Sequence, residues 1–160
     1  MPELLTHVLV GFTLATVLSW YTRWLTAPYV TVAMVGAVTP DLSRFDLLFP
    51  AKAIEAALGI PFDWWAFHTL GGTVLVVALG GLLTPTAYRR GVVAMLALGA
   101  LSHHGLDLLL VNPSGYAYPV FWPLTQYHPP TPGFYLSSDR WPAFFAGVGA
   151  TVVWAIDHRR

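Results

Sequence analysis

The chain has 160 residues, of which 56% are hydrophobic and only 10% are charged, with a mean hydropathy of +0.59. Soluble domains carry about 25% charged residues, so this composition predicts lipid as the solvent, while a formal net charge of zero excludes the basic field that nucleic-acid binding needs. The absence of cysteine excludes disulfides, thiolate zinc sites and iron–sulfur clusters, and leaves His, Asp and Glu as the ligands for any metal.

Five apolar stretches follow one another along the chain, at residues 4–25, 27–38, 64–83, 91–111 and 141–156. A membrane span needs about 20 residues. The first, third and fourth stretches are long enough, and the other two are shorter. We therefore predict an all-α, polytopic bundle of about five transmembrane helices, which forms a single membrane-embedded domain over residues 1–160. Met1-Pro2-Glu3 has no positive charge, so we expect no signal peptide.

Two segments between the apolar stretches have distinct compositions. Residues 51–58 place Lys52 and Glu55 among apolar residues, which predicts a short helix at the membrane interface. Asp63 is expected to be the N-cap of the third stretch. Residues 112–140 are rich in proline and aromatic residues, and because disordered segments are poor in aromatics, we predict an ordered cap at the headgroup level.

The five predicted spans also predict an orientation. They separate the positive residues into a group of five (Arg23, Arg89, Arg90, Arg159, Arg160) and a group of three (Arg44, Lys52, Arg140). Positive residues favour the cytoplasm, so we predict a multi-pass plasma-membrane protein with its N-terminus outside and its C-terminus in the cytoplasm. All but one of the eight acidic residues, and all but one of the six histidines, then fall at the outer face.

The histidines and carboxylates near the ends of the predicted helices are the candidate site. His103 and Asp107 are four residues apart and share one helical face, whereas His104 points elsewhere. Taken alone, that pair could equally be a hydrogen-bonded staple between helices, and the other residues could be caps or interfacial side chains. Together, however, residues from four helices predict a first shell for a divalent metal, with zinc favoured and manganese or magnesium as alternatives: His7, Asp41, His68, His103 and Asp107.

Several short motifs occur in a recognisable order, and they are Thr6-His7 with Gly11, Pro40-Asp41, Phe67-His68-Thr69, Ser102-His103 with Asp107, and Gly115 followed by Phe121-Trp122-Pro123. From His7 to about Pro123 the chain thereby resembles the membrane-bound metal-dependent hydrolases, also called the LexA-binding, inner-membrane-associated hydrolases. The resemblance implies a helical, membrane-embedded hydrolase with a divalent metal. We do not expect LexA binding to carry over, because the chain offers no basic patch or soluble domain for that partner.

The sequence departs from the family at one motif. Where the family has an H-R-x-x-T-H-S element, this chain has Asp63 in place of the first histidine and Trp64 in place of the arginine, while His68 is retained. Asp63 could replace the histidine as a metal ligand or hydrogen-bond to a ligand. The missing arginine removes a residue that could contact phosphate.

The predicted function is a metal-dependent hydrolase that acts on a phosphoester or another membrane-proximal substrate at the extracytoplasmic face. Asp41 and Asp63 are its candidate catalytic residues, Asp41 as a ligand or general base, and Tyr116 and Tyr118 would shape substrate access. The expected partners are membrane lipid and a small-molecule or lipid-linked substrate, with no nucleic acid. The alternative is a non-catalytic membrane protein that uses the His/Asp cluster for ion or proton handling, or only for helix packing.

Overall fold

The computed structural model describes the backbone of residues 2–160 and the side chains from Leu4 onward. The expectation that Met1-Pro2-Glu3 begins no signal peptide falls outside this part. The described chain is all-helical apart from turns and two isolated bridges. Its helices are α1 (Pro2–Ser19), α2 (Ala27–Gly36), a first 3₁₀ helix (Thr39–Leu47), α3 (Ala51–Leu58), a second 3₁₀ helix (Trp64–His68), α4 (Leu70–Leu83), α5 (Thr86–Asp107) and α6 (Trp141–Asp157).

The prediction of a polytopic bundle of about five transmembrane helices is wrong. Among the described residues, no helix combines the length and the apolar character that crossing a bilayer requires. α4 and α6 have 14 and 17 residues, against the roughly 20 that a span needs. α5 has 22 residues, but its polar ends leave only its middle apolar. The predicted orientation of the termini rested on counting five spans, and it loses its basis with them.

The helix breaks explain why the third apolar stretch fails as one long helix. Asp63 accepts a hydrogen bond from the Trp65 backbone N–H at 2.8 Å, which confirms it as an N-cap, but the helix that it begins is a short 3₁₀ helix. Thr69 then adopts an extended conformation and caps α4 through its hydroxyl, which accepts from the Gly72 N–H at 3.3 Å. Two capped helices therefore replace one span. The short helix predicted at residues 51–58 is present as α3.

The packing of α2 against α5 brings the two backbones into direct contact. A Cβ atom at Gly99 would overlap the Ala33 carbonyl oxygen, and one at Gly36 would overlap the Leu96 backbone. Only glycine permits this approach. α1 packs against α2, α5 and α6, and α4 packs against the other side of α5. α5 is therefore central, with its last turn surrounded by α1, both 3₁₀ helices and α4.

The segment 112–140 is ordered by backbone hydrogen bonds. Within it, the Ala117 N–H donates to the Pro129 carbonyl at 2.8 Å. Its middle part is fixed to the start of α4, because the Gly71 N–H donates to the Trp122 carbonyl at 2.9 Å. A Cβ atom at Gly71 would lie 2.6 Å from Pro123 Cδ, so the segment lies directly on the helix backbone. This contact places the segment beside the second 3₁₀ helix and the candidate site.

Candidate metal centre

Five buried side chains from four helices meet at the C-terminal end of α5. α1 supplies His7, the first 3₁₀ helix supplies Asp41, the second supplies His68, and α5 supplies His103 and Asp107. His103 has no exposed surface. The structure thus brings together all five residues that the sequence proposed as metal ligands.

The Asp107 carboxylate lies at the centre of the cluster. Its Oδ2 is 2.8 Å from His68 Nε2 and 3.2 Å from His103 Nε2, and its Oδ1 is 3.3 Å from His7 Nε2. The His7 and His103 rings stack with their centroids 3.8 Å apart. Three imidazole Nε2 atoms therefore point at one carboxylate from three directions.

Backbone carbonyls fix the orientation of two of these rings. His68 Nδ1 lies 3.1 Å from the Pro40 carbonyl oxygen, and His103 Nδ1 lies 2.8 Å from the Ala37 carbonyl oxygen. A carbonyl oxygen only accepts, so each Nδ1 carries the proton and donates. A neutral ring then has a bare lone pair at Nε2, facing the lone pairs of Asp107. Each such contact needs a cation between the atoms, which is either a second proton on the ring or a metal ion.

The cluster also contains buried polar atoms without hydrogen-bond partners, namely His7 Nδ1, Asp41 Oδ2 and His103 Nε2. An unsatisfied buried polar atom costs about 1–3 kcal/mol. A ligand that accepts lone pairs would recover part of this cost at Asp41 and His103. The donor chemistry of the cluster therefore fits a cation.

The distances fit a metal ion as well. Two overlapping groups have ligand atoms that all lie within 4.8 Å of one another: His7, His103 and Asp107 form one, and Asp41, His68 and His103 form the other. Ligand atoms around a tetrahedral zinc at about 2.0–2.2 Å are about 3.3–3.6 Å apart. The contacts of Asp107 with His7 and His103, at 3.3 and 3.2 Å, are close to that spacing. Because both groups share His103, they offer alternative positions for one ion.

The electrostatics of the cluster favour charged forms. Burial alone would raise the pKa of Asp107, but its close contacts with His103, His68 and His7 outweigh burial and hold that pKa well below its usual range. Burial likewise would lower the pKa of His103, yet the close contact with Asp107 and its negative charge raise it. These contacts favour the carboxylate form of Asp107 and, without a metal, a second proton on His103.

The comparison with protein families gives one match. The family model described as "YdjM inner membrane protein" matches residues 1–160. The chain belongs to this family. Membership establishes an inner-membrane family and supports contact with lipid. No curated protein and no solved structure matches the chain. The family match therefore assigns neither a reaction nor LexA binding to this protein.

The remaining predicted site residues of this YdjM-family protein lie at different places. Asp63 is exposed, and its Oδ1 accepts from the Trp65 N–H, so the described contacts do not join it to the cluster. Tyr116 is 56% exposed and also lies apart from the cluster's described contacts. Tyr118 is half-buried, and its ring centroid is 4.7 Å from that of His68. Of the two tyrosines predicted to shape access, only Tyr118 contacts the candidate ligands.

The role of His104 was not predicted from the sequence. As the helical period predicts, His104 faces a different direction from His103. Its side chain is nevertheless buried next to the cluster, where it contacts two hydroxyl groups. Its Nε2 lies 2.7 Å from Thr73 Oγ1 and its Nδ1 lies 2.9 Å from the Tyr118 hydroxyl. Burial, reinforced by the positive charges of His103 and His68, lowers the pKa of His104 to about 4. This histidine is therefore neutral, and it links α4, α5 and Tyr118 behind the cluster.

Proposed function

We propose that this YdjM-family protein is a metal-dependent hydrolase that acts on a phosphoester at the membrane surface. The observation that carries the proposal is the fixed orientation of His68 and His103, whose Nδ1 atoms donate to backbone carbonyls while their Nε2 atoms converge on Asp107. Histidines that bind metals typically donate their second N–H to a carbonyl or carboxylate in this way. A shell of histidine and aspartate with no cysteine suits zinc, with manganese or magnesium as alternatives.

The ligands and the neighbouring residues have separate tasks in this proposal. At one of the two positions His7, His103 and Asp107 would hold the ion, with His68 in contact with Asp107, and the ion would supply Lewis-acid activation of water and of a phosphoryl oxygen. Asp41 is the candidate general base, because its Oδ2 is buried without a partner while its Oδ1 accepts from Arg44 Nε at 2.8 Å. The ion pair with Arg44 holds the carboxyl in place, so that its second oxygen is free to accept a proton.

A cleft beside Asp41 supports an amphiphilic substrate. It has a volume of about 260 Å³, and its lining is apolar except for Asp41 and Arg44. The apolar lining comes from residues at the start of α1 and along the first 3₁₀ helix: Leu4, Val38, Leu42, Phe45 and Leu48. An acyl or prenyl chain could lie against these side chains while its phosphoester is next to the guanidinium of Arg44. This geometry favours a lipid-linked phosphoester over a freely soluble one.

The apolar exterior supports contact with lipid. Large apolar side chains are exposed on α4, such as Val74 and Leu83, and on α6, such as Phe144 and Val152. Exposed apolar surface of this extent is typical of a face that contacts lipid or another apolar partner. Together with the inner-membrane family, it supports a substrate that reaches the cleft from the membrane surface.

The first test compares the binding of metal and the hydrolysis of phosphoesters. Purified protein, stripped with a chelator, is titrated with Zn²⁺, Mn²⁺ and Mg²⁺, and it is assayed on p-nitrophenyl phosphate, its diester and a lipid phosphate. We expect about one tightly bound ion and hydrolysis that chelation abolishes. His103→Gln should lose both, since catalysis by a bound metal ion needs the complete ligand set.

The matched control is His128→Gln. His128 Nδ1 also contacts a backbone carbonyl, that of Ala117 at 2.8 Å, but His128 lies in the 112–140 segment outside the cluster. This variant should bind metal and hydrolyse substrate like the wild type. A protein that binds no divalent ion contradicts the whole proposal and favours a cluster that only packs helices. Metal binding without hydrolysis of any substrate supports ion handling instead.

A further inference from the structure

A second cavity lies along the second 3₁₀ helix, and its lining differs from that of the cleft at Asp41. It has a volume of about 630 Å³ and is bounded by α3, the second 3₁₀ helix and the segment that packs on α4. Its charged, polar and aromatic lining residues include Glu55, Phe62, Asp63, Trp65, Trp122 and Gln126. The volume is in the usual range of small-molecule sites, about 300–1,000 Å³.

The charge in this cavity is negative. Glu55 and Asp63 both line it, and none of its described lining residues is Lys, Arg or His. Lys52 is nearly one turn before Glu55 on α3, but no ion pair joins them among the described residues. Asp63 uses Oδ1 to cap the second 3₁₀ helix, and the cap leaves its charge in place. In a chain with no net charge, two carboxylates in one cavity favour a cationic ligand.

Two tryptophan rings in the same cavity favour an organic cation. Trp65 and Trp122 are 47% and 38% exposed although both line the cavity. One face of Trp65 stacks on His68 at a centroid distance of 5.0 Å, so the cavity meets the rest of its ring. The Gly71 N–H donates to the Trp122 carbonyl, which fixes the backbone of Trp122 beside the start of α4. Indole rings bind alkylammonium groups through cation–π attraction, so the two rings favour an organic ammonium as the cation.

We propose that this cavity binds an organic ammonium group, either the headgroup of a zwitterionic lipid or a free amine. Glu55 and Asp63 supply the opposite charge, and Trp65 and Trp122 supply the aromatic faces. The site does not rest on the proposed hydrolase function, because none of these four residues belongs to the metal cluster.

The experiment titrates the full-length protein, in a maltoside detergent, with choline and with 3,3-dimethylbutanol, the uncharged analogue of choline with the same shape. We expect saturable binding of choline and none of the neutral analogue. The double variant Glu55→Gln, Asp63→Asn should weaken choline binding about tenfold or more, and Trp122→Leu should weaken it by a similar factor. Asparagine can still cap the 3₁₀ helix, so thermal melting and Zn²⁺ binding should match the wild type and report an intact fold.

The matched control is Asp139→Asn, since Asp139 also accepts from a backbone N–H, that of Leu136 at 2.9 Å, outside the cavity. It should leave choline binding unchanged. A short-chain phosphatidylcholine that binds at least about tenfold tighter than choline assigns the site to a lipid headgroup, and equal affinities assign it to a free amine. Absence of saturable choline binding, equal binding of the neutral analogue, or no effect of the double variant on folded protein overturns the proposal.

Discussion

His103 and His104 are adjacent on α5, yet their surroundings give them opposite charge preferences. His103 faces Asp107, which raises its pKa, whereas His104 faces the hydroxyls of Thr73 and Tyr118. Without a facing carboxylate, burial and the nearby positive rings lower the pKa of His104 to about 4. The hydroxyl partners satisfy a neutral imidazole, with one donating to it and the other accepting from it.

This difference predicts a pH dependence of stability that belongs to His104. The unfolded chain binds a proton at this histidine below the ordinary histidine pKa of 6.5, whereas the folded protein does so only below about 4. Between these values the unfolded state holds more protons, so stability falls as the pH falls. The loss should reach about 3 kcal/mol near pH 4. Chemical denaturation of chelator-treated protein from pH 7 to pH 4 measures it.

The comparison for that experiment is His104→Gln, which cannot titrate. Asp107 and the other groups titrate in both proteins, so the difference between the two pH profiles isolates His104. We expect the variant to be less stable at pH 7, because it loses part of the Thr73 and Tyr118 contacts, but to lose less stability on acidification. Parallel profiles would mean that His104 is not held neutral in the folded protein.

At the scale of the helix, the contact of α2 with α5 positions the metal cluster. The Ala37 carbonyl, just after α2, accepts from His103 on α5, so the two helices must approach closely for this ring to be oriented. Gly36 and Gly99 permit that approach by leaving no Cβ between the backbones. The pair of glycines therefore affects the site through the spacing of the helices.

We predict that Gly99→Ala separates α2 from α5 and destabilises the protein by about 1–3 kcal/mol, as overpacking in a close-packed core does. It should also weaken Zn²⁺ binding, because the Ala37 carbonyl moves away from His103. The control is Gly105→Ala on the same helix, where a Cβ meets no atom within 4 Å. That change should stabilise the protein by a few tenths up to about 1 kcal/mol. Urea denaturation and Zn²⁺ titration of both variants measure the effects, and equal stabilities would contradict the packing argument.

At the scale of the whole molecule, the metal cluster connects distant parts of the chain. Its ligands come from α1, both 3₁₀ helices and α5, so residues from 7 to 107 meet at one point. An ion that binds only the folded arrangement stabilises all these contacts at once.

We therefore predict that Zn²⁺ raises the midpoint of thermal unfolding. At a free concentration one hundred times the Kd, the stabilisation is about 2.7 kcal/mol, which for a protein of this size corresponds to a rise of roughly 5–10 °C. Differential scanning fluorimetry with Zn²⁺ and with a chelator measures it. Asp107→Asn should abolish the rise, while Asp157→Asn, at the end of α6 and outside the cluster, should retain it. A rise of equal size in Asp107→Asn would place the bound ion elsewhere.

The sequence by itself determined the local features of this protein. Helical spacing placed His103 and Asp107 on one face, the composition of residues 51–58 predicted α3, and Asp63 was identified as a cap. These features depend on neighbours within a few residues, which the sequence displays directly. The motif order also indicated an inner-membrane family, and the family match agrees with that part of the prediction.

Only the tertiary structure decided the lengths of the helices, the orientation of the rings and the second role of His104. Hydropathy could not reveal that Thr69 would leave the helical conformation, so a capped break was mistaken for one long span. The Nδ1 bonds to the Ala37 and Pro40 carbonyls join residues 66 and 28 positions apart. Such contacts depend on how closely whole helices approach, and that distance is set by packing across the molecule rather than by any local pattern.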